Sequence, residues 1–259
     1  MIKGLYTAGS GMMLQMAKQD IISNNIANVN SAGYKKSVAV SQAFPNMLMA
    51  RIGENEKTNY ATYTPLPMKI IGGLGTGAVL GGVYTDFAIG NFKNTEITTD
   101  FAIGNEEGFF VVETPQGEAF TRDGEFKLTP EFMLTDKNGY PVIDIYDDYI
   151  YLDSDDISVD SNGIITMDGD ELTQFKIVFF EEKDELEKIG SNLLRTDVAY
   201  NELEDPDIVQ GFIEESNVNV VQEMVSLISV VRNYEALQKV VQSEDEMTQI
   251  AIDKVGSTM

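Results

Sequence analysis

The sequence predicts an α+β fold: a central, mainly β domain flanked by N- and C-terminal helices that pair as a coiled coil. Two observations support this prediction. Apolar residues recur at helical spacing at both ends of the 259-residue chain, whereas turn signals crowd its middle. Helices confined to the termini favour a subunit of an assembly over an enzyme, because their apolar faces need partners.

The N-terminal helix is predicted over residues 3–29. Its apolar positions follow a 3-4 spacing: Leu5, Ala8, Met12, Ile22, Ile26 and Val29. Gly9 and Gly11 each weaken the first turns by about 1 kcal/mol relative to Ala, so the regular helix is expected to begin near Met12. Beyond the helix, Gly33 is expected to take the left-handed conformation.

The C-terminal helix is predicted over residues 219–255, with Asn219 and Gln222 as a capping box. The apolar stripe steps by four and three residues through Val220, Met224, Leu227, Val231, Tyr234 and Val241. This spacing predicts a coiled-coil seam for about three heptads.

Between the helices, residues 36–75 read as an extended, partly irregular linker, and residues 76–211 read as a β-rich domain. Turn signals in the β-rich domain include Asp123-Gly124, Asn138-Gly139 and Asn162-Gly163. The hexapeptide Asp-Phe-Ala-Ile-Gly-Asn occurs at 86–91 and at 100–105, which predicts two equivalent strand-turn units. The chain is thus divided into residues 1–35, 36–75, 76–211 and 212–259.

Composition restricts the chemistry. The chain contains no Cys, His or Trp, which removes thiolate and histidine catalysis and the usual zinc ligands. No cofactor, metal or catalytic residue is therefore predicted. No 18-residue apolar run is present, so no membrane insertion is expected. No cleavable signal peptide is visible either, and these rules alone predict a cytoplasmic protein.

The net charge of −24 is concentrated in the middle of the chain. Residues 1–70 hold seven Lys or Arg and three Asp or Glu, whereas residues 71–215 hold eight against 33. Such an acidic body repels nucleic acid and anionic lipid, so neither is an expected partner.

Two carboxylate functions are open. The acidic run between residues 147 and 160, with Asp147, Asp148, Asp153, Asp155, Asp156 and Asp160, is either a solvated loop or a calcium site. Paired carboxylates could also hydrolyse a glycosidic bond, although a chain with 42 acidic residues contains pairs by chance.

Two polar features are candidate contacts between subunits. The asparagines Asn24, Asn25, Asn28 and Asn30 exceed what one helix cap needs, which favours hydrogen bonds across packed subunits. Arg122, in the compact turn Thr121–Phe126, either reaches a carboxylate of a neighbouring subunit or lies at a simple hairpin tip. The stripe residues Val220, Met224, Leu227, Val231 and Tyr234 complete the predicted subunit contacts.

Three motifs resemble those of a known family. The N-terminal motif is Ser-Asn-Asn-Ile-Ala-Asn-Val-Asn at 23–30 with Gly-Tyr-Lys at 33–35. The central motif joins Gly-Phe-Phe-Val-Val at 108–112 to Phe-Thr-Arg-Asp-Gly-Glu-Phe at 120–126. The C-terminal motif is Glu-Ser-Asn-Val-Asn-Val at 215–220. Together they resemble the bacterial flagellar rod and hook protein family, and the single central domain suits a basal-body rod protein.

The resemblance implies a structural subunit of the flagellar rod, not an enzyme. It implies that the paired terminal helices form the inner tube of a helical assembly that transmits torque and encloses the export channel. Implied partners are further copies, other rod, hook or basal-body axial proteins, and the flagellar export apparatus. The implied location is the basal body, reached by export, which replaces the cytoplasmic prediction. The alternative function is a carboxylate-dependent cell-wall glycan hydrolase.

Overall fold

The computed structural model describes residues 2–51, 69–154, 157–167, 169–203 and 205–256. Within these ranges, two α-helices enclose nineteen short strands in sequence, and a 3-10 helix spans Lys183–Glu185. Their bounds are α1 Ile2–Ala27, β1 Ser37–Ala43, β2 Met47–Arg51, β3 Lys69–Leu74, β4 Ala78–Thr85, β5 Phe92–Asn94, β6 Phe101–Ile103, β7 Phe109–Thr114, β8 Gly117–Thr121, β9 Lys127–Leu128, β10 Leu134–Thr135, β11 Ser158–Val159, β12 Ile164–Met167, β13 Asp170–Gln174, β14 Ile177–Phe179, β15 Glu187–Ile189, β16 Leu193–Arg195, β17 Asn201–Glu202, β18 Ile208–Gln210, β19 Phe212–Glu214 and α2 Val220–Gly256. This architecture confirms the α+β class, with helices at the termini and a mostly β middle.

The chain groups into two compact units, which differ from the four sequence segments. The first, called the helical unit, contains residues 1–21, 39–83 and 226–259. The second, called the β unit, contains residues 22–38 and 84–225. The predicted linker, residues 36–75, contributes strands β1 to β3 where it is described, and its residues 52–68 lie outside the described residues.

In the helical unit, strands β2 and β3 pair as an antiparallel two-stranded sheet, and β1 pairs with β4. Helix α1 begins at Ile2, ten residues before the predicted regular start near Met12. The two early glycines therefore lie inside the helix. A Cβ built on Gly11 would lie 3.0 Å from Leu237 of α2, so the missing side chain gives space to the neighbouring helix.

The β unit is organised around a six-stranded antiparallel sheet with the order β15-β16-β8-β7-β14-β17. Strand β7 explains why the run from Phe109 to Val112 is continuously apolar. Phe110 and Val112 belong to one core cluster, whereas Phe109 and Val111 belong to the other. A central strand that is covered on both faces must be apolar at every position, because successive side chains point to opposite sides.

Helix α2 begins at Val220, directly after the predicted cap residue Asn219. The Gln222 amide donates to Oδ1 of Asn219 at 3.1 Å. This bond satisfies one of the first-turn amides that lack a partner within the helix. Among the described residues, neither helix is both long and apolar enough to cross a membrane.

Gly33 is the backbone position on which the start of the β unit depends. Its φ of 66° is left-handed, as predicted, and its amide donates to the Glu214 carbonyl at 2.8 Å. A Cβ at this position would lie 2.3 Å from the Asp123 amide nitrogen. Only glycine fits both the dihedral angle and the approach of the two backbones.

We predict that Gly33→Ala destabilises the β unit more than Gly139→Ala. Gly139 also has a positive φ, of 87°, but nothing lies within 4 Å of the place that its Cβ would occupy. We expect about 1 kcal/mol for Gly139→Ala from the left-handed backbone alone. Overpacking adds about 1–3 kcal/mol for Gly33→Ala. Urea unfolding followed by circular dichroism measures both, and equal losses would show that the contact with Asp123 has no cost.

Candidate functional site

A buried carboxylate, Glu214, lies at the centre of the polar residues that join the segment after α1 to the segment before α2. Its Oε1 accepts from Lys35 Nζ at 2.5 Å and from the Gly90 amide at 2.9 Å. Its Oε2 accepts from Arg122 at 3.4 Å. The three charged side chains are at most 3% exposed. We call Lys35, Arg122 and Glu214 the Glu214 cluster.

Two cations share one carboxylate in the Glu214 cluster, and backbone carbonyls accept further hydrogen bonds from both, whereas Arg122 Nε has no partner among the described residues. Lys35 Nζ donates to the Ala88 carbonyl at 2.9 Å. Arg122 donates to the carbonyls of Asn105 at 2.8 Å and Ile103 at 3.3 Å. Burial lowers the pKa of Lys35 and of Arg122, and the charge of Glu214 opposes this effect for both.

The carbonyls come from the two copies of the repeated hexapeptide. Ala88 belongs to the copy at 86–91, and Ile103 and Asn105 belong to the copy at 100–105. The copies are not the equivalent strand-turn units that the sequence predicts. The second copy contains strand β6, whereas residues 86–91 form no strand. The first copy instead runs close to the C-terminal segment, where a Cβ on Gly90 would lie 1.8 Å from the Glu215 carbonyl oxygen.

Arg122 lies in neither of the two places that the sequence left open. Its side chain is 1% exposed and its guanidinium lies 5.2 Å from the centre of the Phe109 ring. Asp123 is also buried and accepts from Asn192 Nδ2 at 2.7 Å. The Thr121–Phe126 turn is therefore interior to the β unit. Arg122 uses its charge within its own chain and offers no exposed group to a neighbouring subunit.

The four asparagines near the end of α1 have separate environments. Asn25 is 1% exposed, and its amide group exchanges two 2.9 Å hydrogen bonds with the backbone of Ser37. Asn25 Oδ1 also accepts from the Tyr34 hydroxyl at 3.0 Å. Asn25 thus ties the helix to the chain that follows it.

The other three asparagines are less buried. Asn28 Nδ2 donates to the carbonyl of Asn24 at 2.9 Å and to its Oδ1 at 2.8 Å, which closes the end of α1. Asn24 and Asn30 are exposed and Asn28 is half-buried. A subunit contact through Asn24, Asn28 and Asn30 stays a prediction.

Asn217, which precedes α2, and Glu223, in the first turn of α2, bind the chain that follows α1. Asn217 Oδ1 accepts from the Lys36 amide at 2.8 Å, and its Nδ2 donates to the carbonyl of Asp86 at 2.8 Å. Lys36 Nζ lies 2.7 Å from Glu223 Oε1. The sequence pattern assigned no role to Asn217 or Glu223. Asn217 belongs to the C-terminal motif at 215–220, and this motif was the signal that could have found it.

Lys188 fixes the same segment from strand β15. Its Nζ donates to the Lys35 carbonyl and, at 2.8 Å, to Ser37 Oγ, and it lies 4.5 Å from the centre of the Tyr34 ring. Burial lowers the pKa of Lys188 to about 8. These three partners are neutral, so none of them supplies the negative charge that would restore the pKa towards its ordinary value.

The predicted stripe on α2 largely follows the less exposed face of the helix. Val220, Leu227, Val231 and Tyr234 are half-buried, whereas Met224 is 49% exposed. The buried positions of α2 are Glu223 and Val230, each one residue before a predicted stripe position. A subunit contact through the stripe stays a prediction.

The described acidic residues of the run after residue 146, namely Asp147, Asp148, Asp153 and Asp160, are exposed, as expected for a solvated loop. Asp147 forms an ion pair with Lys176, whose side chain is 5% exposed. Within the described ranges, no three acidic side chains are grouped as metal ligands. Asp155 and Asp156, which belong to the calcium hypothesis, lie outside the described residues.

We predict that Glu214→Gln unfolds the β unit at a much lower urea concentration than the wild type. The substitution leaves two buried cations without a counter-charge, and breaking a buried ion pair costs about 3–5 kcal/mol. Glu215→Gln is the matched control, because Glu215 is the exposed neighbour and its loss should change stability by less than about 0.5 kcal/mol. Similar midpoints for the two variants would contradict the central role of Glu214.

We also predict a pH dependence from Lys188. Its pKa of about 8 in the folded chain lies below its ordinary 10.5, so between these values the unfolded chain binds more protons. Stability therefore rises with pH from about 8 to about 10.5 as the burial penalty is relieved. Lys188→Met lacks this contribution, so the wild type should gain stability relative to it across that range. Parallel stability curves for the two proteins would rule out the effect.

Three family models match this chain, and each matched region contains one of the three sequence motifs. Residues 5–35 match the family described as flagella basal body rod protein. Residues 103–167 match the flagellar hook protein FlgE/F/G D1 domain. Residues 209–254 match the flagellar basal body rod FlgEFG protein C-terminal family.

Full-length relatives agree with these matches. The chain is 33% identical to the flagellar basal-body rod protein FlgG of Buchnera aphidicola subsp. Schizaphis graminum, over 96% of this chain and 98% of the relative. It is 31% identical to the flagellar hook-basal body complex protein FlhO of Bacillus subtilis, over 99% of both chains. It is 32% identical to the flagellar basal-body rod protein FlgF of Caulobacter vibrioides, again over 99% of both. The chain therefore belongs to the family of flagellar basal-body rod proteins and is a structural protein of the flagellar basal body.

Proposed function

We propose that this chain is a rod subunit whose β unit folds by itself and whose helical unit is completed by neighbouring subunits. The observation that carries the proposal is the lack of a core in the helical unit. Among its described apolar residues, Ala8, Leu14 and Val230 are buried. Its exposed large apolar residues include Tyr6, Met13, Leu48, Ile70, Ile71, Ile228 and Ile252. A surface of this kind needs a partner to be removed from water.

We propose further that α1 and α2 pair as an antiparallel coiled coil. Support comes from a constant register. A Cβ on Gly4 would lie 2.5 Å from Glu244, and one on Gly11 would lie 3.0 Å from Leu237. Seven residues forward along α1 thus correspond to seven residues back along α2. The hydrogen bond from Asn25 to Glu223, at 3.5 Å, continues the same register two heptads further on.

The remaining apolar face of α2 is the proposed subunit contact. Val221, Val225 and Ile228 are 72%, 59% and 53% exposed and recur by four and three residues. This spacing places them on one face of the helix, away from the stripe with Leu227 and Val230. A helix with two apolar stripes suits burial by two partners, one within the chain and one from a neighbour.

The proposed assembly gives the chain its role in the flagellum. Copies of this chain, together with other rod, hook or basal-body axial proteins, would form a tube that transmits torque and encloses the export channel. The flagellar export apparatus would deliver the subunits. The acidic surface of the β unit keeps the unassembled chain away from anionic lipid and nucleic acid.

The hydrolase alternative finds little support among the carboxylates. Asp100 and Glu125 face each other in a β-bridge, and burial raises the pKa of both. Asp123 lies close to them, but it is committed to Asn192 and to Lys137 at 2.7 Å. Asp100 and Asp123 are 5% and 4% exposed, so neither offers a substrate an open carboxylate.

We predict that Ile228→Asp abolishes incorporation into the rod while the β unit stays folded. A carboxylate buried without a partner at a subunit contact costs several kcal/mol, on the order that prevents association. Asn233→Asp is the control, because it adds the same charge at an exposed polar position of α2. Basal bodies isolated from cells that express each variant, examined by electron microscopy, measure incorporation.

A melt of each purified variant shows that the β unit is intact. Rods that contain Ile228→Asp at the wild-type level would refute a subunit contact through this face. Equal loss with Asn233→Asp would mean that added charge anywhere on α2 blocks assembly, which also refutes the specific contact.

A further inference from the structure

A hairpin of the β unit exposes three tyrosines. Its strands meet at the β-bridge between Ile143 and Tyr149, and the Asp144 amide donates to the Asp148 carbonyl at 2.9 Å. Tyr146, near the tip, is 77% exposed, and Tyr149 and Tyr151 on the return strand are 41% and 58% exposed. We call residues 141–152 the tyrosine hairpin.

The return strand of the tyrosine hairpin has an inner and an outer face. Ile150 and Leu152 are 1% and 0% exposed and belong to the core, so Tyr149 and Tyr151 point outwards together. Residues two apart on one strand face are separated by about 6.6 Å. The strand therefore presents two neighbouring aromatic rings. Isolated exposed tyrosines need no explanation, but a group on one hairpin marks an interaction surface.

The charged residues within the tyrosine hairpin and in the chain that follows it to Phe175 are all acidic. The chain from Asn138 to Phe175 contains no Lys or Arg. Asp148 and Asp153 flank the two outward tyrosines and are exposed. The cation that packs underneath, Lys176, is buried and paired with Asp147. A partner at this surface thus meets aromatic rings bordered by exposed carboxylates.

We propose that the tyrosine hairpin docks an arginine-bearing basic surface of a partner protein. Aromatic faces attract cations, and a planar guanidinium can stack on a tyrosine ring while its N–H groups reach adjacent carboxylates. Anionic lipid and nucleic acid are repelled by the same carboxylates. This surface belongs to the β unit and is separate in sequence from the helices and hairpins that the proposed assembly uses.

The test uses the full chain and a synthetic peptide of alternating glycine and arginine that carries a fluorescent label. Peptides in which lysine or neutral citrulline replaces arginine are the ligand controls. Binding is measured by fluorescence anisotropy at low ionic strength, where charge interactions are least screened. The double variant Tyr149→Thr, Tyr151→Thr removes both rings and keeps residues that favour strands. Tyr84→Thr removes an exposed tyrosine elsewhere and is the matched control.

The wild type and Tyr84→Thr should bind the arginine peptide equally, and the double variant should bind it about tenfold more weakly, from two lost cation–π contacts. The lysine peptide should bind more weakly than the arginine peptide, and the citrulline peptide should not bind. No binding by the wild type, or equal binding by the double variant, would overturn the proposal. So would self-association of the wild type that the double variant loses, because the occupant would then be a second copy.

A check on folding keeps the result interpretable. Circular dichroism of the double variant should match that of the wild type, since both substituted side chains lie on the outer face. If the double variant unfolds, the pair Asp148→Asn, Asp153→Asn replaces it. That pair should weaken binding of the arginine peptide severalfold, and unchanged binding would again overturn the proposal.

Discussion

The ion pairs of Glu214 with Lys35 and Arg122 are the interaction on which the rest of the structure depends. Each partner comes from a different part of the chain: the segment after α1, the strand before α2, and the turn after β8. Burying a charge is costly unless it is paired, so these ion pairs fix three segments at once. The fold thereby joins the segment that follows α1 to the strand that precedes α2 within one chain.

The two units differ in their source of stability. The β unit has two apolar clusters, one on each face of its main sheet, and aromatic pairs such as Phe110 with Phe126. The helical unit has two long helices and two two-stranded sheets, with few buried apolar residues among those described. Isolated two-stranded sheets are only marginally stable in water, and so are helices that lack a buried face. We therefore expect a chain with this division to be stable alone and to gain order when it assembles.

Local sequence signals predicted much of the fold. The bounds of α2, its cap at Asn219, the left-handed Gly33 and the buried strand after Gly108 all follow from short-range rules. The coiled-coil pairing of the stripe stays a prediction. Val220, Leu227, Val231 and Tyr234 are half-buried and Met224 is 49% exposed. Periodicity places such residues on one face of a helix, but it carries no information on what covers that face. The Glu214 cluster could not be predicted, because Lys35 and Glu214 are 179 residues apart and a single sequence does not specify which of many charges meet. For the same reason Arg122 and Asn25 were expected at a subunit surface, whereas both are buried in their own chain.

Hydrogen exchange of the unassembled chain tests the central role of the Glu214 cluster most directly. We predict that the amides of Gly33 and Ser37 are protected as strongly as those of strand β7, while amides in residues 3–20 exchange much faster. Weak protection at Gly33 and Ser37, or helix protection equal to that of β7, would contradict a chain in which buried charges join the segments next to its helices before the helices find partners.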